Sequence, residues 1–221
     1  MGANELAVVG LVGSGLGALL GTPLVWPGRS RRAEVRVLGA VLLAVAGLSG
    51  LISARLAGLV PASEVVSHLV NALGLMAFSL ATGYVRLATS AARPLTRWLM
   101  APFAVYITLA VLRGVATGRS VVPFLWLVPV VVGFTLMGAV AVWRGGQAGR
   151  VALVPPAWVV GFLAVVNVAQ LLRMGFGHIP AVRAIVPLTF AGGFMIMVAF
   201  VARRSVADLP VIPRPPRSAG Q

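Results

Sequence analysis

The sequence predicts an all-α integral membrane protein, a bundle of seven transmembrane helices with its N-terminus outside and its C-terminus cytoplasmic. The 221 residues are 59% hydrophobic and 10% charged, with a mean hydropathy of +1.00, whereas soluble domains carry about a quarter charged residues. Seven continuous apolar runs are each about 16–23 residues long, close to the ~20 that a helix needs to cross the hydrocarbon. They lack the period of two that a lipid-facing barrel strand requires.

These apolar runs give the predicted spans in chain order. Together they form one transmembrane domain over residues 1–204, and the fourth run is the shortest. The Pro- and Arg-rich segment 205–221 is predicted to be a disordered cytoplasmic tail, because its composition does not allow it to pack a core. The predicted spans are 6–26, 35–54, 65–85, 98–113, 121–143, 151–172 and 184–201.

Arginines determine the predicted orientation. All 18 basic residues are arginine, against four acidic residues. With the N-terminus outside, 13 arginines fall in cytoplasmic segments and five in outer segments, in agreement with the positive-inside rule. No basic residue precedes the first run, so we expect a translocated tail rather than a signal peptide.

The same charge distribution predicts the location of the protein. The net charge of +14 is spread between apolar runs, which favours contact with lipid head groups over nucleic acid. The predicted location is therefore the plasma membrane, with multiple spans. Arginine without lysine, together with many alanines and glycines, is typical of a bacterium of high GC content, in which this is the inner membrane.

The first span contains a glycine pattern with two interpretations. Gly13 to Ala18 reads G-x-G-x-x-A, the short form of a dinucleotide-binding fingerprint. That fingerprint follows a strand and needs an acidic residue to hold a ribose, whereas these glycines lie inside an apolar run and Glu34 lies in an arginine-rich loop. Small residues four positions apart instead let two membrane helices approach closely. We therefore predict a helix-packing face of Gly13, Gly17 and Gly21, against a neighbouring helix or a second subunit.

Polar side chains within the spans concentrate towards the predicted outer face. Such groups are costly in hydrocarbon and usually face the bundle interior or a cavity. Two interpretations stay open: a polar pocket for a small ligand, and hydrogen bonds between helices worth on the order of 1 kcal/mol each. The predicted ligand-binding residues are His68, Asn71, Asn167, Gln170 and Arg173.

Several kinds of chemistry are absent from the sequence. There is no cysteine, and no Asp, Glu or Lys lies in the centre of a span, which disfavours carboxylate-coupled transport and excludes a retinal Schiff base. The two histidines, His68 and His178, form an incomplete set of zinc ligands. We therefore predict no catalytic residue, no metal and no cofactor.

One catalytic alternative stays open. Gly47-Leu48-Ser49-Gly50 resembles the G-x-S-G of rhomboid intramembrane proteases, and His68 follows on the next span. The resemblance implies a serine–histidine pair for acyl transfer. In rhomboids the serine helix comes later in the chain and the histidine lies two helices beyond it, so no catalytic role is carried over.

These observations lead to three functional hypotheses. The first is a non-enzymatic, receptor-like sensor that binds a small ligand near the outer face and signals through a partner chain, since the tail is too short for an output domain. The second is a small-solute transporter or channel subunit. The third is a structural subunit of a membrane complex, with the glycine face as its contact. The expected partners are the lipid bilayer and a protein partner or a second copy, without nucleic acid.

Overall fold

The computed structural model describes residues 3–25, 33–61, 63–89, 96–147, 154–176 and 179. Within these ranges the chain is entirely helical and contains no strand. The seventh predicted span and the predicted tail lie outside the described residues. The six described helices are α1 (Ala3–Val25), α2 (Ala33–Leu56), α3 (Glu64–Thr89), α4 (Thr96–Thr117), α5 (Phe124–Gln147) and α6 (Val154–Phe176).

Four of these helices, α1, α2, α3 and α5, are long and apolar enough to cross a membrane. The apolar stretches of α4 and α6 are shorter, Ala101–Thr117 and Pro156–Leu172. The all-helical prediction is confirmed, and the four long apolar helices indicate a membrane protein. The count of seven spans and the orientation of the termini stay predictions.

Glycines with a left-handed backbone end two of the helices. Gly58 follows α2 with a φ of 71°, and Gly118 follows α4 with a φ of 68°. The N–H of Gly118 donates to the carbonyl of Gly114 at 2.9 Å, which satisfies one of the last carbonyls of α4. α4 therefore continues to Thr117, beyond the predicted span 98–113, because its stop signal lies after the apolar run.

α3 lies at the centre of the bundle. It packs against α2, α4, α5 and α6, while α1 packs against α2. Asn71 bonds the carbonyl of Val122, just before α5, and Thr82 bonds the carbonyl of Phe134 further along α5, so α3 and α5 run in the same direction. The core between these helices includes Leu42, Leu75, Phe78, Leu127, Val131 and Leu163.

The α1–α2 contact uses the glycine-bearing face of α1. Gly13, Gly17 and Gly21 are buried. A Cβ placed on Gly21 would lie 3.0 Å from the carbonyl oxygen of Gly39 on α2, so the two backbones are close enough to exclude a side chain. The Ser14 hydroxyl also donates to a main-chain carbonyl of α2 at 2.7 Å. Small residues thus allow close packing and an interhelical hydrogen bond.

Candidate functional site

The end of the bundle where α3 begins carries three polar side chains on one helical face. Ser63 precedes the helix and accepts the N–H of Val66 at 3.3 Å, an N-cap that determines where α3 starts. Glu64, His68 and Asn71 follow at intervals of four and three residues, so they lie on the same side of the helix. Hydrogen bonds join this face to α4 and to the connection between α4 and α5.

The His68 imidazole has a partner at each ring nitrogen. Nδ1 lies 2.5 Å from the Tyr106 hydroxyl on α4, and Nε2 lies 2.9 Å from the Ser120 hydroxyl in the α4–α5 connection. The rings of His68 and Tyr106 meet edge to face, with centroids 5.8 Å apart and an interplanar angle of 77°. One side chain of α3 therefore holds two other parts of the bundle.

Two neighbouring side chains of α3 strengthen this attachment. The Ser120 hydroxyl donates to Glu64 Oε2 at 3.2 Å. Asn71 Nδ2 donates to the main-chain carbonyl of Val122 at 3.0 Å, and the Asn71 side chain also hydrogen-bonds Tyr106. We refer to the following five residues as the His68 cluster: Glu64, His68, Asn71, Tyr106 and Ser120.

The partners assign a direction to the hydrogen bonds of the cluster. An ionised carboxylate only accepts hydrogen bonds, so the Ser120 hydroxyl donates to Glu64. Ser120 in turn accepts a hydrogen bond from the N–H at His68 Nε2. The neutral ring therefore presents a lone pair at Nδ1, which accepts the Tyr106 proton. The Asn71 amide in turn donates to Tyr106. The hydrogen bonds thus form one chain in which each donor points towards Glu64, in the order Asn71, Tyr106, His68, Ser120 and Glu64. In such a chain, neighbouring hydrogen bonds polarise and strengthen one another.

The cluster joins an exposed carboxylate to a buried phenol. Glu64 is exposed, whereas His68, Asn71 and Ser120 are half-buried. Tyr106 is only 6% exposed, and its hydroxyl is turned towards His68. A change in charge or hydrogen bonding at the surface of the bundle can thus reach its interior through direct contacts.

An apolar layer lies below the cluster. Along α3, Leu75 and Phe78 are buried between Asn71 and the next buried polar residues, Ser79 and Thr82. Leu127 and Val131 of α5 belong to the same core, and the Thr82 hydroxyl donates to the carbonyls of Phe78 and Phe134 at 2.9 and 3.1 Å. The His68 cluster and the buried hydroxyls around Thr82 therefore form two polar levels between α3 and α5, separated by packed apolar side chains.

Asn167 belongs to the second of these levels. Its Nδ2 donates to the Thr135 hydroxyl on α5 at 2.7 Å, and Thr135 donates to the carbonyl of Val131 at 3.0 Å. Val122 lies at the depth of Asn71 because the two are hydrogen-bonded, and Thr135 follows it by roughly 18 Å along the chain direction of α5. Asn167 therefore joins α6 to α5 well below the His68 cluster.

The structure brings together some of the predicted ligand-binding residues. His68 and Asn71 share the His68 cluster, and Asn167 lies apart from them. Gln170 lies three residues beyond Asn167 on α6 and is half-buried. Arg173 is also on α6, but its side chain lies outside the described residues.

Sequence reasoning did not assign Glu64, Tyr106 and Ser120 to the site. Glu64 lies one residue before the predicted span 65–85, although its position four residues before His68 places both on one face of α3. Ser120 lies in a connection outside the predicted spans, where a search for polar residues inside spans does not reach. Its contact with His68 joins residues 52 positions apart, so it depends on which helices are neighbours.

The serine that resembles the rhomboid motif lies elsewhere. The Ser49 hydroxyl donates to the carbonyl of Gly10 on α1 at 3.4 Å, while the ring nitrogens of His68 bond Tyr106 and Ser120. The described chain contains no group of three potential metal ligands, and His178 lies outside it.

Comparison with known proteins adds no relative. No family model, curated protein or solved structure matches the chain.

Proposed function

We propose that the protein is a non-enzymatic, multi-pass membrane sensor that binds a small ligand at the His68 cluster and passes the change to a partner chain. The observation that supports this proposal is that α3, α4 and the α4–α5 connection meet through one imidazole, by bonds at both its nitrogens. A ligand that competes for any of these bonds alters how the three parts are held. A response is therefore built into the contacts of the site.

α5 offers a route for such a response across the bundle. Ser120 and Val122, which are bonded by His68 and Asn71, lie just before the first residue of α5. α5 contains 24 residues and is therefore roughly 36 Å long, enough to span a bilayer. Releasing its start displaces α5, and the far end of the helix carries Arg144, where a partner chain can detect the movement.

The apolar layer favours a sensor over a transporter. A solute path needs polar groups that continue through the membrane, and Leu75 and Leu127 are each only 1% exposed in the layer below the cluster. The Thr82 and Thr135 hydroxyls below the layer donate to main-chain carbonyls. These contacts describe a closed interior rather than a row of solute ligands.

The contact proposed for an assembly subunit is used within the chain. Gly21 approaches the backbone of α2, and a Cβ added to Gly10 would overlap the Ser53 hydroxyl of α2. We infer from the distribution of arginines that the His68 cluster faces the outside of a plasma membrane, which in a bacterium is the inner membrane. The ligand then arrives from outside the cell.

A ligand panel tests the proposal directly. Purified protein in nanodiscs is melted with amino acids, sugars, amines and carboxylic acids, alongside Ser120→Ala and the control Thr108→Val, whose exposed hydroxyl bonds its own helix. We expect a panel member to stabilise the wild type and the control by ~2.7 kcal/mol at 100 times its Kd, but not Ser120→Ala.

The same panel is then loaded into proteoliposomes as a test for transport. We expect no release above that of protein-free vesicles. Release of a panel member through the wild type contradicts the sensor and supports the transporter. A panel that fails to separate the wild type from Ser120→Ala removes the His68 cluster as a site for these compounds.

A further inference from the structure

His68 cannot gain a proton without a change in its neighbours. In the neutral ring, Nδ1 accepts the Tyr106 proton, and the Tyr106 oxygen accepts from Asn71. A proton taken from water onto Nδ1 turns that nitrogen into a donor. The Tyr106 oxygen then faces two N–H groups, and its hydroxyl must donate to another acceptor, although Tyr106 is itself only 6% exposed.

Asn71 is the member of the cluster that can supply this acceptor. Its amide carries an oxygen as well as a nitrogen, and a half-turn of the amide presents Oδ1 to Tyr106. The same rotation breaks the 3.0 Å hydrogen bond from Nδ2 to the Val122 carbonyl. It places Asn71 Oδ1 opposite the Val122 carbonyl oxygen, and two acceptors repel each other. Protonation of His68 is thereby coupled to release of the segment just before α5.

We propose that the His68 cluster is a proton-binding site, in which protonation of His68 turns Tyr106 and Asn71 and frees Val122 at the start of α5. This inference rests on the proposed function and names the proton as its ligand. Histidine is the residue type that changes charge between about pH 5 and pH 8.

Charged side chains lie at this end of the bundle. The negative group of the His68 cluster is Glu64, which accepts a hydrogen bond from the Ser120 hydroxyl. α5 carries no titratable residue before Arg144, and Glu5 lies on α1, which packs on α2 rather than on α3. The arginines on the elements at this end are Arg55 in α2, Arg113 in α4 and Arg119 in the α4–α5 connection, while Arg173 is on α6 with its side chain outside the described residues.

Two spin labels test the release of the α4–α5 connection. The chain has no cysteine, so Leu59→Cys and Arg119→Cys introduce the two attachment sites, both exposed and both outside the His68 cluster. Label-to-label distances are measured in nanodiscs from pH 8 to pH 5. We expect a change in the distance distribution with a midpoint inside this range, retained in His178→Gln and absent in His68→Gln.

Tyr106→Phe separates proton binding from release. Histidine NMR of the His178→Gln protein reports the charge of His68 alone, because the chain has two histidines. Tyr106→Phe has no hydroxyl that must turn its hydrogen bond from His68 to Asn71 Oδ1. We therefore expect His68 still to titrate while the pH-dependent distance change is lost.

Glu64→Gln tests the electrostatic part of the proposal. It removes the negative charge that accepts the Ser120 hydrogen bond, so the midpoint of the pH-dependent distance change should differ from that of the wild type. An unmoved midpoint would remove Glu64 from the site.

Other outcomes overturn the proposal or separate it from the proposed function. A wild-type distance that does not change with pH, or a change that persists in His68→Gln or Tyr106→Phe, contradicts proton-coupled release. In another outcome, the label-to-label distance is independent of pH but changes with a panel compound in the wild type and not in Ser120→Ala. That result contradicts proton binding and supports the proposed ligand-binding sensor. If the distance responds to pH while the proteoliposomes release a panel solute, the sensor fails and the proton site remains as the gate of a transporter.

Discussion

At the scale of single residues, the hydrogen-bond directions of the His68 cluster predict one tautomer. The Ser120 hydroxyl donates to Glu64, so His68 carries its proton on Nε2, and Nδ1 accepts a hydrogen bond from the Tyr106 hydroxyl. At pH 8 we expect the nitrogen NMR spectrum of the His178→Gln protein to show an Nε2–H imidazole. A spectrum of the Nδ1–H tautomer would reverse the assigned chain of donors and contradict the coupling between His68 and Asn71.

The second polar level is expected to serve stability alone. Asn167 is buried, and its amide donates to Thr135, so Asn167→Ala removes an interhelical hydrogen bond. We expect thermal or denaturant unfolding to show a loss of about 0.5–2 kcal/mol, equal at pH 8 and pH 5. Thr108→Val serves as the control, because its exposed hydroxyl bonds only its own helix. A pH-dependent loss in Asn167→Ala would connect this level to the His68 cluster.

Sequence identifies the important polar residues of the spans, but not their hydrogen-bond partners. A costly polar group in an apolar run indicates a partner or a cavity, and this drew attention to His68, Asn71 and Asn167. It does not name the partner, because Ser120 and Thr135 become neighbours only when helices distant in the chain pack together. Depth estimated from the ends of spans placed Asn167 beside His68, whereas its bond to Thr135 places it a level below.

At the scale of the helices, the α1–α2 contact gives a matched pair of substitutions. A Cβ on Gly39 would lie 2.7 Å from Leu24 Cβ and 3.0 Å from the carbonyl oxygen of Gly21. These atoms are close to the backbone, so the helices must move apart. We expect Gly39→Ala to lower the free energy of unfolding by about 1–3 kcal/mol, measured by reversible denaturation in detergent.

Gly15→Ala is the control for this contact. Gly15 is on the exposed side of α1, and nothing lies within 4 Å of a Cβ added there. Alanine favours helix over glycine by about 1 kcal/mol in a helix interior, so the variant should be neutral or more stable. Equal losses in Gly39→Ala and Gly15→Ala would show that α1 does not pack on α2 through its glycines.

Helix positions were easier to predict than helix contacts. Hydrocarbon requires each crossing segment to satisfy its own backbone, so apolar runs locate helices from local sequence alone, and α1 to α6 each overlap one of the first six predicted spans. α4 continues past the predicted span 98–113 to Thr117, because the apolar run and the helix stop at different residues, with Gly118 ending the helix. The central place of α3 was not predicted, since six apolar helices can be arranged in many ways.

At the scale of the whole molecule, the orientation decides which side of the membrane the His68 cluster faces. The connection that contains Leu59 lies at the same end of the bundle as the cluster, and Gln147, the last residue of α5, lies at the opposite end. Both residues are exposed, and the chain has no cysteine of its own. Leu59→Cys and Gln147→Cys therefore report the two faces separately.

We expect a membrane-impermeant maleimide to label Leu59→Cys in intact cells and to label Gln147→Cys only after the membrane is opened. The physical reason is the excess of arginine in segments at the Gln147 end, which are retained on the cytoplasmic side. The opposite labelling pattern would contradict the predicted orientation and turn the His68 cluster towards the cytoplasm. The hydrogen bonds of the cluster and their coupling to α5 do not depend on orientation, so a proton-binding site in that case would respond to the pH inside the cell.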